Sequence, residues 1–201
     1  MIIKGLFLDI GGVLMTNGWD HVLQQKTANH FGVDYSEMQA RHHLLFETYE
    51  IGKLTFEEYL KKIFFFEKRV FTLKEVKKFI FNSVEPFHDM VQYICKIKKE
   101  YNLKIGVISN EGRELALDRI KRFDLSSFID FFVVSSFVHF RKPDPDIYRL
   151  AIDIMQVSPD DIVYIDDRLM LIQSAEEIGL KGIHHTDMNK TKMILNKLLK
   201  K

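Results

Sequence analysis

A chain of 201 residues, 46% of them hydrophobic, can bury one core with a modest insertion, which excludes a disordered protein. Its 29 basic and 28 acidic residues leave a net charge of +1, so no global field recruits nucleic acid or an anionic membrane, and any anion must be caught locally. The lone cysteine, Cys95, excludes an internal disulfide, argues against a cysteine-based metal site and fits a reducing cytoplasm.

The first predicted element lies in GLFLDIGGVLMT, residues 5–16. Apolar residues lead to one carboxylate, Asp9, and the chain then turns through Gly11 and Gly12. The run is short and interrupted by an acid, so a buried strand is expected rather than a signal sequence or membrane span. Residues 16–85 read as helical throughout. Gly32 and Gly52 fall where helices should stop, and TFEE (55–58) and TLKE (72–75) have capping-box spacing. About four helices fit the interval. They predict an all-helical cap inserted over the edge of a sheet. Later strands, LKIGVISN, DFFVV, DIVYIDD and a weaker KGIHH, alternate with helical patterns such as RELALDRIKRF, DIYRLAIDIM and LMLIQSAEEIG. That alternation predicts an α/β fold with a Rossmann-like parallel sheet and helices on both faces. The expected organisation is a core domain, residues 1–15 and 86–201, with a cap domain at 16–85.

The candidate functional residues share one position in this scheme: the ends of strands. Asp9 ends the first, Ser109 and Asn110 the second, and Asp166 and Asp167 the fourth. Lys142, in RKPDPDIY, follows the third. Ligands of open parallel sheets bind beyond the carboxyl ends of strands, so these side chains are expected to converge. Adjacent carboxylates repel unless a cation lies between them. Asp9, the Gly11 carbonyl and Asp167 offer hard oxygen ligands suited to Mg²⁺, while Ser109 and Lys142 offer donors to phosphate oxygens. A carboxylate held there can attack phosphorus and form an aspartyl-phosphate.

FLDIGGVL, VISN, RKPDPDIY and YIDD, in this order and spacing, resemble the four motifs of the haloacid dehalogenase superfamily. The helical insertion resembles its C1-type cap. GKLTFEEY and KPDPDIY are similar to the branch of glucose-1-phosphate phosphatase-like and epoxide hydrolase N-terminal phosphatases. The resemblance implies Asp9 as nucleophile and Ser109, with the Asn110 backbone, binding phosphate. It implies Lys142 bridging phosphate and nucleophile, Asp167 as direct Mg²⁺ ligand, and Asp166 beside it in the metal's inner or outer sphere. The implied substrate is a small phosphorylated metabolite, such as a sugar phosphate, handled by a cytoplasmic monomer or homodimer with no nucleic-acid or membrane partner.

Gly11 departs from the pattern, because that position commonly carries a second Asp that protonates the leaving group. General acids typically contribute ~10²–10⁴ in rate. Three readings therefore stay open: a phosphatase for good leaving groups or with a proton donor elsewhere, a 2-haloacid dehalogenase, and a non-catalytic binder of phosphate and Mg²⁺. The cap offers His21, Arg41, His42 and His43 as proton donors. The acidic pair Asp166–Asp167 weighs against the dehalogenase, which needs no metal. Gly12 is expected in a tight turn beneath the metal. His184 and His185, adjacent on a strand, point to opposite faces rather than to one metal. Trp19 and Phe46 are expected in packing, with a pocket wall as the alternative.

Overall fold

A computed structural model describes residues 2–200. Five strands form one parallel sheet: β1 (Gly5–Leu8), β2 (Lys104–Ser109), β3 (Phe131–Val134), β4 (Ile162–Asp166) and β5 (Lys181–His184), in the order β3-β2-β1-β4-β5. All four residues of β1 are buried, as a central strand covered on both faces requires. Its alternate side chains go opposite ways: Leu6 and Leu8 join one apolar cluster with Ile94 and Leu195, and Phe7 joins another with Tyr148 and Ile172. The register pairs Leu8 with both Val107 and Ile165. One residue beyond that level, Asp9 and Asp166 leave the sheet at the same edge.

Between β1 and β2 lie α1 (His21–Phe31), α2 (Tyr35–Glu50), α3 (Phe56–Phe64), α4 (Leu73–Asn82) and α5 (His88–Tyr101). The first four are the insertion. Gly32 caps the end of α1, and both expected capping boxes form: Thr55 and Glu58 start α3, Thr72 and Glu75 start α4. The insertion packs around its own apolar cluster, which includes Tyr59, Ile63 and Phe64. Leu115 of α6 (Arg113–Arg122) joins that cluster and ties it to the sheet-bearing part. Where the chain leaves and returns, the two segments are zipped: Thr16 N–H donates to Glu85 O at 2.9 Å, and Phe87 N–H donates to Leu14 O at 2.8 Å.

After β3 come α7 (Ser135–Val138) and α8 (Pro145–Met155), then α9 (Leu169–Glu176) after β4 and α10 (Met188–Leu199) after β5. A second seam joins insertion and sheet. Arg141 pairs with Glu50 at 2.6 Å and with Glu47 at 2.8 Å, and the Ser135 hydroxyl donates to Glu50 O at 2.7 Å. Among the described residues, no helix is long and apolar enough to cross a membrane.

Thr55→Ala removes the side-chain acceptor at the start of α3, and Thr72→Ala does the same for α4. Each is expected to lower stability by about 0.5–2 kcal/mol, read from the urea midpoint. An unchanged midpoint in both would show that the boxes do not hold these helix ends in solution.

Candidate active site

Lys142 is the centre of the site. It is 2% exposed, against the usual tendency of lysines to stay in water. Its ammonium lies 2.7 Å from Asp166 Oδ2 and 3.3 Å from Asp9 Oδ1, and it donates to the Tyr164 hydroxyl at 3.0 Å. Tyr164 in turn donates to Asp166 Oδ2. The backbone carrying Lys142 is clamped by Asn110, whose amide accepts from Lys142 N–H and donates to Lys142 O, both at 2.8 Å. The loop is thus fixed to the end of β2 by a two-way bond.

The charges shift one another. Burial alone would push the Lys142 ammonium down, but Asp9 and Asp166 outweigh it and hold it above the usual lysine value. Burial pushes the Asp9 carboxyl up, against the pull of Lys142, with Asp166 and Asp167 adding to the rise and Ser109 opposing it. Burial also works against the Asp166 charge, yet Lys142, Tyr164 and the Arg168 N–H hold its carboxyl below the ordinary value.

The two acids at the end of β4 have different surroundings. Both Asp166 oxygens are engaged, Oδ2 by Lys142 and Tyr164, and Oδ1 by the Arg168 N–H at 2.8 Å. Asp167 differs: its Oδ1 is buried with no hydrogen-bond partner, and its Oδ2 accepts only a long bond, 3.3 Å, from Asn17. Asp9, Asp166 and Asp167 each place one oxygen within 4.8 Å of the others. An orphaned buried anion in an all-oxygen cluster fits a hard divalent cation. Gly12 makes the approach of Asp167 feasible. Its φ is +73°, and a Cβ there would lie 2.2 Å from Asp167 Oδ2.

Ser109, buried at the end of β2, and Gly11 line the same cleft as Asp9 and Lys142. The strand-end residues singled out from the sequence therefore do gather. The proposed cap donors do not: among the described residues, none of His21, Arg41, His42 and His43 lines the cleft. His42 is buried and bonded to Tyr59, and burial, with His43 adding, pushes its imidazole down to about 4. Arg41 pairs with Glu37 at 2.7 Å, and His21 and His43 are exposed. Trp19 and Phe46 both face the cleft while belonging to the insertion's apolar packing. His184 Nε2 meets Asp167 O at 3.0 Å, and His185 Nδ1 meets Thr191 Oγ1 at 2.8 Å.

Among the cleft residues that went unmarked in the sequence are Asn17, Glu111 and Arg119, and Tyr164, the partner of Lys142 and Asp166, went unmarked too. Tyr164 carries a usable signal, since it lies two residues before Asp166 on a strand and so shares its face. Glu111 follows Ser109–Asn110 directly, which is a weaker one.

Replacing Lys142 with Met strands two buried carboxylates. The variant is expected to lose about 3–5 kcal/mol in urea unfolding, and Asp166→Asn in the same background should recover part of it. A Lys142→Met protein as stable as wild type would contradict the charge arrangement described above.

Several known proteins are similar to this chain. A family model described as haloacid dehalogenase-like hydrolase matches residues 12–184. A phosphorylated carbohydrates phosphatase of Thermotoga maritima is 29% identical over 119 residues, which are 59% of this chain and 54% of that protein. A flavin mononucleotide hydrolase of Arabidopsis thaliana is 28% identical over 156 residues, 76% of this chain and 62% of that protein. The chain thus spans little more than half the length of these relatives. In structure, it is similar to a haloacid dehalogenase family enzyme from Bacteroides thetaiotaomicron, at TM-score 0.83 and 18% identity, covering 97% of this chain and 99% of that one. That likeness is one of fold; the same enzyme has also been solved with magnesium and inorganic phosphate, at TM-score 0.79, 18% identity and coverage of 94% and 98%. With the family model spanning most of its length, the chain belongs to the haloacid dehalogenase-like hydrolases.

Proposed function

We propose that this protein is a Mg²⁺-dependent phosphatase for small phosphomonoesters, working through an aspartyl-phosphate on Asp9. The observation that carries the reading is the buried, unpartnered Oδ1 of Asp167 in an all-oxygen cluster with Asp9. A dehalogenase site for an organic carboxylate would gain nothing from such an uncompensated anion. The relatives named as phosphatases, and the Bacteroides enzyme holding magnesium and phosphate, support the same class.

Asp9, the Gly11 carbonyl and Asp167 would hold the ion, with Asp166 behind them fixing Lys142. Bound there, Mg²⁺ would neutralise phosphate charge and let two anions approach each other. Asp9 is aimed by the end of β1 and by its own bond from the Ile10 N–H to Oδ1, at 2.8 Å, which leaves Oδ2 for attack on phosphorus. Lys142 opposes the burial that pushes the Asp9 carboxyl up and would meet the incoming phosphate oxygens; Ser109 and the Asn110 backbone would bind the others. Residues 16–85 act as a cap, whose Trp19 and Phe46 wall the cleft and shape the choice of leaving group. The substrate class is a small phosphorylated metabolite, with a sugar phosphate favoured by the Thermotoga relative's name. The lone cysteine suits a reducing cytoplasm.

Hydrolysis of an aryl phosphate should require Mg²⁺ and stop with EDTA. Asp9→Asn should lower it by on the order of 10³-fold or more, as expected when a covalent nucleophile is lost. No Mg²⁺-dependent turnover would favour a binder, and metal-free chloride release from 2-chloropropionate would favour a dehalogenase; either overturns the reading.

A further inference from the structure

Expelling an alkoxide from phosphorus is slow unless the bridging oxygen receives a proton. The cleft offers few donors. Asp166 has both oxygens bonded, Asp9 is needed as nucleophile, and Lys142 is held by Asp9, Asp166 and Tyr164. Asp20 caps α1, its carboxylate accepting from Leu23 N–H at 2.9 Å. Burial pushes the Glu50 carboxyl up against the pull of Arg141, Arg168 and Lys142, but its Oε2 is already paired with Arg141 Nε at 2.6 Å.

Glu111 is left. It is 7% exposed, lines the cleft with Asp9 and Gly11, and pairs through Oε1 with Arg119 at 3.0 Å. Its Oε2 is buried with no hydrogen-bond partner. Its backbone is fixed by a bond from its N–H to Ser135 Oγ at 2.9 Å. The pair fits here because Gly18 lacks a side chain: a Cβ on residue 18 would lie 1.7 Å from Arg119 Nη2 and 3.0 Å from Glu111 Oε1, whereas one on residue 11 would only touch Arg119 Nη1, at 3.9 Å. A buried ion pair brings little stability over apolar residues of the same size, so its place in the cleft calls for another use.

We propose that Glu111, oriented by Arg119 in the space left by Gly18, is the acid that protonates the leaving group; this rests on the phosphatase reading above. In the first step an Asp9 oxygen bonds to phosphorus as the ester P–O bond breaks, and the departing oxygen takes the proton from Glu111 Oε2. In the second, a water oxygen bonds to phosphorus, the Asp9–phosphorus bond breaks, and Glu111 recovers its proton from that water. The products are an alcohol and inorganic phosphate, with both carboxyl groups restored.

The surroundings suit a group that must hold and release a proton near neutrality. Burial pushes the Glu111 carboxyl up to about 7, with Arg119 opposing and Asp9, Glu50 and Asp118 adding. The acid works while protonated, so kcat/KM on an alkyl phosphate should fall as pH climbs through about 7.

Glu111→Gln and wild type are compared on glycerol phosphate and p-nitrophenyl phosphate with Mg²⁺ across pH. The variant should lose ~10²–10⁴-fold on the alkyl ester, lose far less on the aryl ester, and lose the alkaline limb. Adding Gly11→Asp should restore alkyl-ester turnover once Asn17, whose Oδ1 lies 3.0 Å from the new Cβ, moves aside. An unchanged alkyl-ester rate or pH profile overturns the proposal while leaving the phosphatase reading intact, as does a selective loss in Glu50→Gln alone. A wild type that hydrolyses neither ester overturns both. Should the single variant fail to fold, Glu111→Gln with Arg119→Gln removes both buried charges, and an undiminished alkyl-ester rate there is equally decisive against it.

Discussion

One buried ammonium holds the working edge of this molecule together. Lys142 touches Asp9, Asp166 and Tyr164 at once, on a loop that Asn110 clamps to the end of β2. The ends of two strands and a connecting loop are therefore joined through one charge, and the Asn110 amide ties that loop to a third strand. Desolvating a lysine is costly, and the two carboxylates more than offset it; they in turn tolerate burial because the ammonium is there. Asp167 stands outside this arrangement. Its Oδ1 is buried with no partner, and that imbalance fits the divalent ion of the proposed function better than it fits a finished salt bridge.

The same logic of neighbours governs the wall of the cleft. Position 11 has no side chain, while the same cleft holds a guanidinium and a carboxyl group in the space that Gly18 leaves. A second acid is thus not absent from the cleft; one approaches from the loop after β2 rather than from β1. The insertion closes over these groups and is fastened at several points, among them Phe56 N–H to Glu114 at 2.9 Å and Arg141 to Glu50 at 2.6 Å. Arg141 directly precedes Lys142, so the loop that presents the ammonium also grips α2. Fastening of the insertion and aiming of the site are mechanically linked.

Much of this was legible in the residues. Short apolar runs marked the strands, and Thr-x-x-Glu marked two helix starts, because these signals are local and depend on geometry within a few residues. The gathering of strand-end polar residues was legible too, since a parallel sheet puts like ends at one edge. Partnership was not. Nothing local in IVYIDD distinguishes Asp166, with both oxygens satisfied, from Asp167, with one left bare. The burial of Lys142 was likewise hidden, because a lysine before a Pro-rich turn reads as a surface residue. His42 looked like a reagent and is a packing residue bonded to Tyr59.

The order of strands, β3-β2-β1-β4-β5, was likewise settled only by the assembled chain. By itself the sequence determined the class of fold, the helical insertion, and which acids and bases would reach the sheet's carboxyl edge. Those follow from periodicity and strand polarity, which each segment carries on its own. Tertiary structure alone decided which charges pair, which anion is left uncompensated, and that Glu111 and Arg119 pack against Gly18 in the cleft. Such choices depend on distances between segments far apart in the chain, and pairing and desolvation energies exist only once those segments meet.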